Sequence, residues 1–584
     1  MERGKRPELG VEEGFLSAPL RLPPINFEKL KPWIGRIARV IPWIFGVALL
    51  AEIISFSVGQ HGVLADGAYI TLRYARNLAL GNGLVYNPGV RYFGTGGPAF
   101  AVLLGVLGKI FGVSQIPLVA EMISNGSIAV TCVAMIVGFR EERQPLIGFL
   151  AAPIYVLLHS TRAGVGFEVL PQMACIASAY VFYLRAWRNE KTALGASVLM
   201  AIATLLRPDA IIWMAPVLVH AVATRFNRRL ITESDVSIQD RFRDFGRSIP
   251  FKEIGIVVTP VVVAAIACQI YFGALWPAAL GTKIALSHTT QWHGYLSGGL
   301  SWIQRGWTTD GLPIIVLLWL AFLGVATVGY YAATKRDRFL ELILAGVLLH
   351  SFAYSLTLPS YGWYYVPEGL GIAILAASVI AYCADAAKRI SSYGAAVVLA
   401  LAAVFGYQLI IYERYSVSAG QHVLETSDRI VVYHALSDWL KSNTTSTDTV
   451  GLCEPGLIGW ESGRPIVDQF FLVTPGDNDS LRRHVFDNAF RTQHPSFIIE
   501  SPLLFGSMRG HPWFWQNYEF IRSFPETRTE PLTESEADEL RKMDRMEVDI
   551  WKLRGTLLDL KEASSLARDY VKSLDDSKTG STSE

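Results

Sequence analysis

The sequence predicts a polytopic α-helical membrane protein with a small α/β domain towards its C-terminal end. Hydrophobic residues make up 51% of the 584 residues, and they are concentrated in long runs. Many of these runs approach the roughly 20 residues that an α-helix needs to cross a bilayer. The runs stop near residue 412, after which short apolar segments alternate with charged ones. We therefore expect a membrane domain at 38–412, surrounded by lipid.

The apolar runs lie near 38–59, 97–112, 116–138, 145–159, 169–186, 192–206, 210–225, 253–273, 312–333, 338–357, 368–386 and 393–412. The first run follows a charged segment, 1–37, and has no small-residue cleavage site. We therefore predict that it is a retained span and not a signal peptide.

Positive charges between the runs predict their orientation, because cytoplasmic connections carry an excess of lysine and arginine. The basic connections share one side of the membrane only if one early run does not cross it. The run 97–112 is short, begins at Gly-Gly-Pro and contains Lys109, so we predict an interfacial helix there. Eleven spans remain, with the tail 1–37 cytoplasmic and the C-terminal domain extracytoplasmic.

This topology gathers the unusual polar clusters of the membrane domain on one face of a cell membrane, the extracytoplasmic one. The clusters are the loop 60–96, the segment 159–168, the turn 207–209, the loop 273–311 and the segment 360–368. Their one-sided placement indicates an extracytoplasmic active site.

Composition limits the partners and cofactors. The net charge is +1, so bulk electrostatics identify no partner, and nucleic acid is not expected to be one. Four of the five cysteines lie inside apolar runs, which leaves Cys453 without an internal disulfide partner in the C-terminal region. No Cys/His spacing indicates zinc, and no cofactor is expected.

The region after residue 412 predicts two segments. Between 413 and 530, a helix near 427–442 precedes the apolar stretches TVGLC, PIVDQFFLV and SFIIES, which indicate an α/β domain. It contains Glu454-Pro455-Gly456, and we interpret it as acceptor-binding or structural. The acidic, serine-rich end, 531–584, predicts a tail that is partly helical or disordered.

The loop that begins at Asp66 is the most informative stretch of the chain. Asp66 opens a predicted helix, 68–80, with Arg73, Arg76 and Asn77 on one face, and Gly81-Asn82-Gly83 ends it. Asp66 has two interpretations, which are compatible: an N-cap of its own helix, or a general base that deprotonates an acceptor hydroxyl.

Several segments of this chain match or resemble segments of a known family and follow the same order. They are Ala68-Tyr69-Ile70, Arg73-Tyr74-Ala75, Asn77-Leu78, Gly81-Asn82-Gly83-Leu84-Val85, Asn87-Pro88-Gly89, Gly166-Phe167-Glu168, Arg207-Pro208-Asp209, Tyr271-Phe272-Gly273, Pro277 and Lys283. The stretch from Asp66 to Gly89 resembles the first outer loop of the GT-C membrane glycosyltransferases. The resemblance is greatest to the bacterial branch that includes the mycobacterial terminal arabinofuranosyltransferases, and it extends in patches from about 40 to 370.

The resemblance implies a GT-C fold and a glycosyltransferase that uses a polyprenyl-phosphate sugar. The acceptor would be a cell-envelope glycan, lipid or protein. Asp66 is then the catalytic base, and Arg207 and Lys283 are the cations for the phosphate leaving group. Candidate substrate-binding residues are Arg73, Glu168, Asp209, Trp363 and Tyr364. Several of these residues also have an alternative interpretation. Arg207 could snorkel at a helix end, and Glu168 could cap a helix or pair with Arg162. The aromatic residues could belong to a membrane-interface belt.

One departure from the family pattern is Gly67, which stands where relatives have a second carboxylate. The departure predicts that the site holds no metal and that Asp66 is the only base of the motif. It also leaves open a catalytically inactive relative that binds glycan. A lipid-linked sugar transporter or flippase is the other alternative, although transporters tend to contain two related halves, which this sequence does not show.

Overall fold

The structure is a computed structural model. It describes residues 46–55, 57–58, 62, 64–232, 245–287, 289, 293–308, 312–335, 337–391, 394–426, 428–502, 506–525, 527–543, 545–555 and 560–580. Residues 52–584 form one unit, which contains every element discussed below except the start of the first helix. The predicted tail 1–37 lies outside the described residues, as does the first part of the predicted span 38–59.

Helices form most of the described chain before residue 427. In chain order they are α1 (Gly46–Ser55), α2 (Asp66–Ala79), α3 (Pro98–Phe111), α4 (Ile116–Glu141), α5 (Pro145–Leu157), α6 (His159–Ala163), α7 (Val169–Arg188), α8 (Leu194–Leu206), α9 (Met214–Thr232), α10 (Phe251–Phe272), α11 (Ala278–Ser287), α12 (Tyr295–Thr308), α13 (Leu312–Thr334), α14 (Arg338–Thr357), α15 (Val366–Ile390) and α16 (Gly394–Thr426). Short 3₁₀ helices occupy Val113–Gln115, Pro208–Trp213 and Gly362–Tyr365.

Among the described residues, seven helices are long and apolar enough to cross a membrane. They span Val113–Glu141, Val169–Arg188, Pro208–Phe226, Phe251–Phe272, Pro313–Thr334, Arg338–Thr357 and Gly362–Ile390. Shorter apolar helices lie at Gly46–Ser55, Pro98–Phe111, Pro145–Leu157, Leu194–Leu206 and Gly394–Leu409. The chain is thus a helical membrane protein with several spans, and the total of eleven remains a prediction, as does the orientation.

Local sequence explains where several helices begin and end. Proline lies in the first turn of α3 and α15, where a missing N–H leaves no hydrogen bond unmade. Asp337 caps α14 by accepting a hydrogen bond from the amide of Leu340 at 3.0 Å. Helix α10 ends at Gly273, whose φ of +75° is a conformation that glycine adopts without strain. In the helical core, α4 packs against α5 and α7, and α15 packs against α5 and α13.

The C-terminal domain is a five-stranded sheet with helices around it. Its strands are β1 (Val450–Leu452), β2 (Ile466–Asp468), β3 (Phe497–Glu500), β4 (Tyr518–Phe524) and β5 (Val548–Leu553), in the order β2-β1-β3-β5-β4. β1 pairs in parallel with β2 and β3, whereas β5 is antiparallel to both of its neighbours. Its helices are α17 (Asp428–Asn443), α18 (Gly456–Ser462), α19 (Asn478–Arg482), α20 (Asn488–Gln493), α21 (Pro512–Asn517), α22 (Glu534–Lys542) and α23 (Leu560–Gly580).

The domain boundaries differ from those that the sequence predicts. Helix α16 continues without a break past the predicted boundary at 412–413. At the other end, β5 lies between β3 and β4, so the sheet extends into the segment 531–584 that we predicted to be a tail. The sequence did not predict β5 because this short strand carries charged residues. Its pairing with distant strands provides burial that the local sequence does not indicate.

Candidate active site

A cavity of about 1040 Å³ is lined by both the helical part and the C-terminal domain. This volume matches the upper range of small-molecule sites, about 300–1,000 Å³. Its lining comes from the start of α2, from the segments 159–168, 207–212, 276–286 and 354–364, and from the C-terminal domain. The polar clusters that the predicted topology places on one face therefore meet at one cavity.

Asp66 lies in this lining, at the first residue of α2. It is not the N-cap that one interpretation predicted, because Ala65 holds that position and no side chain caps the helix. The Asp66 carboxylate instead accepts hydrogen bonds from the start of a different helix, α18. The amide of Gly456 donates to Oδ2 at 3.0 Å, and the amide of Leu457 donates to Oδ1 at 2.7 Å. The free amides of a helix N-terminus are suited to hold a carboxylate.

Burial and a neighbouring carboxylate change the acidity of Asp66. Burial raises the pKa of Asp66 to about 7, and the negative charge of Glu454 acts in the same direction. The two amide hydrogen bonds and the positive charge of Arg429 oppose this rise. A carboxylate with a pKa near neutrality has the proton affinity that general-base catalysis at physiological pH requires.

Glu454, Arg429 and Tyr433 complete what we call the domain-side cluster, together with Asp66. Oε1 of Glu454 accepts a hydrogen bond from Arg429, and Oε2 accepts one from the Tyr433 hydroxyl. All four residues line the cavity. We did not assign a role to these three residues of the C-terminal domain from the sequence. The available signal was that Glu454 follows the central parallel strand β1, since ligands bind beyond the carboxyl ends of such strands.

Arg207 is the centre of the membrane-side cluster, which consists of Glu168, Arg207, Asp209, Lys283, Tyr354 and Tyr364. Its guanidinium lies 3.1 Å from Oδ2 of Asp209 and 3.3 Å from Oε1 of Glu168, and it donates to the Tyr354 hydroxyl at 2.8 Å. Its positive charge is therefore shared with two carboxylates. The structure pairs Glu168 with Arg207 at this distance, where the sequence left Arg162 as a candidate partner.

The acidic members of this cluster have distinct surroundings. Asp209 also accepts hydrogen bonds from the Gln172 amide, at 2.6 Å, and from the Tyr354 hydroxyl, so it orients Arg207 within a hydrogen-bonded network. Among the residues that the structure describes, Oε2 of Glu168 is buried without a hydrogen-bond partner. A hydroxyl of a bound molecule would satisfy that oxygen.

Lys283, on α11, differs from Arg207 in having no carboxylate partner within the described part of the chain. Its ammonium donates to the Tyr364 hydroxyl at 3.0 Å. It also lies 5.7 Å from the ring centroid of Tyr361 and 5.4 Å from that of Tyr364, which are cation–π distances. Lys283 therefore contributes a positive charge that no described acidic side chain neutralises.

Trp363 is the middle of three stacked rings in the lining. Its ring centroid is 4.4 Å from that of Phe167 and 4.8 Å from that of Tyr361. Gly67 permits this arrangement, because a Cβ at position 67 would lie 3.3 Å from the Trp363 ring and 3.4 Å from the Phe167 ring. The place where the resemblance implies a second carboxylate is next to aromatic rings, so the residues present do not fit a metal there.

Arg73 is the one predicted site residue that is not among those lining the cavity. It is 3% exposed, and its guanidinium donates to the carbonyls of Tyr86 at 3.0 Å, Arg464 at 2.7 Å and Gly459. Two of these acceptors belong to the C-terminal domain. The geometry thus gives Arg73 a part in attaching that domain to α2, and we do not retain the expectation that it binds substrate.

Comparison with known proteins gives one family match and several similar folds. Residues 421–547 match the model of a domain of unknown function, DUF8728. No curated protein matches the chain.

Solved structures with similar folds include ArnT and an archaeal oligosaccharyltransferase. Apo ArnT from Cupriavidus metallidurans is 13% identical, with a TM-score of 0.50 over 88% of this chain and 98% of that one. ArnT from the same organism, bound to undecaprenyl phosphate, is 12% identical, with a TM-score of 0.46 over 87% of this chain and 97% of that one. The Archaeoglobus fulgidus oligosaccharyltransferase AglB, in complex with an inhibitory peptide and a dolichol-phosphate, is 12% identical. Its TM-score is 0.49 over 78% of this chain and 69% of that one. The chain thus shares its fold with ArnT.

Proposed function

We propose that this protein is a membrane glycosyltransferase that transfers a sugar from a polyprenyl-phosphate donor to a cell-envelope glycan, lipid or protein on the extracytoplasmic face. The observation that carries the proposal is that one cavity is lined by Asp66, a carboxylate with a pKa near 7, and by the ammonium of Lys283, which pairs with no carboxylate among the described residues. Glycosyl transfer from a lipid phosphate needs both a base for the acceptor and a cation for the leaving phosphate.

The proposed reaction is a single displacement with inversion. Asp66 removes the proton of an acceptor hydroxyl, and the acceptor oxygen forms a bond to the anomeric carbon of the donor sugar. The bond from that carbon to the phosphate oxygen breaks, and its electron pair remains on the released polyprenyl phosphate. Lys283 stabilises the charge that develops on this phosphate, and Arg207, held by Asp209 and Glu168, adds a fixed guanidinium.

The remaining lining residues suit the sugar and the lipid. Oε2 of Glu168 is an acceptor for a sugar hydroxyl, and the Trp363 and Tyr364 rings provide apolar surface for the sugar ring. The cavity is apolar over much of its lining, with Ile211, Ile212 and Leu280 among its members. Such surface would accommodate the first isoprenoid units of a donor.

The test is sugar transfer by the purified protein in nanodiscs, offered a panel of polyprenyl-phosphate sugars, with and without a chelator. We expect wild-type transfer to be unaffected by the chelator and Asp66→Asn to reduce it on the order of 10²–10⁴-fold, as loss of a general base does. The matched control is Asp438→Asn, which changes an exposed aspartate of α17 and should leave transfer unchanged.

If wild type and both variants bind the donor but none of them transfers sugar, the proposed activity is contradicted. That result would favour the two alternatives, a glycan-binding relative without activity and a transporter of lipid-linked sugars. Full transfer by Asp66→Asn would instead contradict the assignment of the base.

A further inference from the structure

We propose that the C-terminal domain completes the active site, with Glu454 as the carboxylate that partners Asp66 and maintains it as a base. This inference rests on the proposed function and extends it from the membrane domain to a residue of the C-terminal domain. Glu454 would act through Asp66, so it is a positioning residue and takes no proton from the acceptor itself.

The first argument is the way in which residues 454–457 enclose Asp66. The amides of Gly456 and Leu457 hold both carboxylate oxygens of Asp66. A Cβ on Gly456 would overlap the backbone carbonyl of Asp66, so only glycine permits this approach. Because Glu454 precedes these amides by two residues, the same loop that grips Asp66 also fixes the position of the second carboxylate.

The second argument is that both carboxylate oxygens of Glu454 already have hydrogen-bond donors. Its two oxygens accept hydrogen bonds from Arg429 and from Tyr433, and the Tyr433 side chain is buried. These two contacts fix the position of the Glu454 carboxylate. It is well placed to be a fixed negative charge near Asp66, which disfavours the ionised form of Asp66 and strengthens it as a base.

Other groups also contribute to the charge around Asp66, and they limit what a single substitution can change. The ionisable groups that interact electrostatically with Asp66 are Glu454, Arg429, Tyr433, Cys453, Asp468, Tyr69 and Tyr86. Among them Glu454 has the largest effect on the pKa of Asp66, after burial. Neutralising Glu454 should therefore lower that pKa, whereas neutralising a more distant carboxylate should not.

The test variant is Glu454→Gln, which keeps the side-chain length and can still bond with Arg429 and Tyr433. In wild-type protein the transfer rate should fall below pH 7 as Asp66 becomes protonated. In Glu454→Gln this fall should begin at a pH lower by roughly one unit, the smallest shift typical of a close charge. Its rate at high pH should also be reduced, because a weaker base transfers the proton less efficiently.

Two further variants separate charge from structure. Glu454→Asp keeps the charge and should retain the wild-type pH profile, even if its rate is lower. Glu461→Gln removes the same charge from α18, at a residue that pairs with His434 at 2.8 Å and is not among those lining the cavity. Its profile should coincide with that of wild type.

A second measurement does not depend on activity. Apolar carbodiimides modify protonated buried carboxyl groups, so labelling of Asp66, followed by mass spectrometry from pH 5 to 9, reports its protonation. We expect labelling to decline near pH 7 in wild type and Glu461→Gln, and at lower pH in Glu454→Gln.

The outcomes distinguish the two proposals. A wild-type protein that transfers no sugar, but whose Asp66 labelling shifts in Glu454→Gln, would overturn the proposed function and support the pairing. Labelling and pH–rate profiles that do not change in a folded Glu454→Gln protein would overturn the pairing, whether or not the wild type is active.

Discussion

The domain-side and membrane-side clusters line the same cavity, but their central residues, Asp66 and Arg207, are held in place by different parts of the molecule. Asp66, in the domain-side cluster, depends on amides of residues some 390 positions away in sequence. Arg207, in the membrane-side cluster, is oriented by Asp209, Glu168 and Tyr354, which belong to the helical part alone. The comparison teaches that the proposed base requires a docked C-terminal domain, whereas Arg207 is oriented without it. Lys283 differs from Arg207, since its helix α11 contributes Ala285 and Leu286 to the core of that domain.

The charges of the two clusters also differ in how they are balanced. Glu454 pairs with Arg429, and Asp66 is held by neutral amides. In the membrane-side cluster, Arg207 is compensated by two carboxylates and Lys283 by none of the described residues. Lys283 is therefore the group whose removal should most disturb a phosphate, and Arg207 is the more constrained of the two cations.

Among variants that leave the domain-side cluster intact, Lys283→Gln should have the largest effect, because it removes the cation that no described carboxylate compensates. We expect kcat to fall on the order of 10²-fold, the typical cost of losing one donor to a developing oxyanion. The measurement is transfer at saturating donor, with Lys109→Gln, an exposed lysine on α3, as the matched control. An unchanged kcat would show that Arg207 alone serves the phosphate.

The pH dependence sharpens the comparison, because it isolates the domain-side cluster. Asp66 must be ionised to act as a base and its pKa is about 7, so kcat should fall about tenfold per pH unit below that value. The stability contribution of Asp66 has the opposite sign. Its folded-state pKa is raised from 3.8, so the contribution is present at low pH and is lost as pH rises through 7.

Comparing wild type with Asp66→Asn isolates this residue, since burial also raises the pKa of Asp468 to about 7. The difference in unfolding free energy between the two proteins should change between pH 4 and 7. An activity that is independent of pH from 5 to 8 would contradict the role of Asp66.

Gly67→Asp would introduce a second carboxylate beside Asp66 in the chain, in the lining of the cavity. The new side chain must displace the Trp363 or Phe167 ring, since its Cβ alone lies 3.3 Å from the first. We expect a loss of about 1–3 kcal/mol in unfolding free energy, typical of overpacking, and no activity that a chelator abolishes. Gly67→Ala is the matched control, and its loss in unfolding free energy should be smaller. Metal-dependent transfer by Gly67→Asp would contradict the steric argument.

The smallest effect should come from Arg73→Lys, which tests domain docking without altering either cluster. A lysine cannot reproduce the fork that reaches the carbonyls of Tyr86, Gly459 and Arg464, so we expect a loss of about 1 kcal/mol in unfolding free energy. Thermal unfolding in detergent measures it. Arg91→Lys, at an exposed position of the same loop, is the control, and an equal loss in both would contradict a docking role for Arg73.

The sequence predicted the membrane-side cluster better than the domain-side cluster, for a physical reason. Four residues of the membrane-side cluster lie next to apolar runs, and the number of membrane-spanning runs between two loops predicts whether those loops share a face. These residues are Glu168, Arg207, Asp209 and Lys283. The structure brings all four to one cavity.

The partners of Asp66, in contrast, could not be predicted, because docking between distant segments leaves no periodic signal in the sequence. The N-cap interpretation was wrong for the same reason, since the carboxylate caps α18 and not its own helix. Arg73 lies on the helical face that we predicted, but that face packs against the C-terminal domain and not against a substrate.

The capping of α18 by Asp66 also has a consequence for protein engineering and for evolution. A C-terminal domain from another protein could replace this one only if it presented two free amides and a glycine at the place of Gly456. Exchanging the domain as a module would otherwise leave the proposed base without its hydrogen-bond donors. Changes of acceptor preference should therefore arise from point substitutions within the domain, and not from recombination of whole domains.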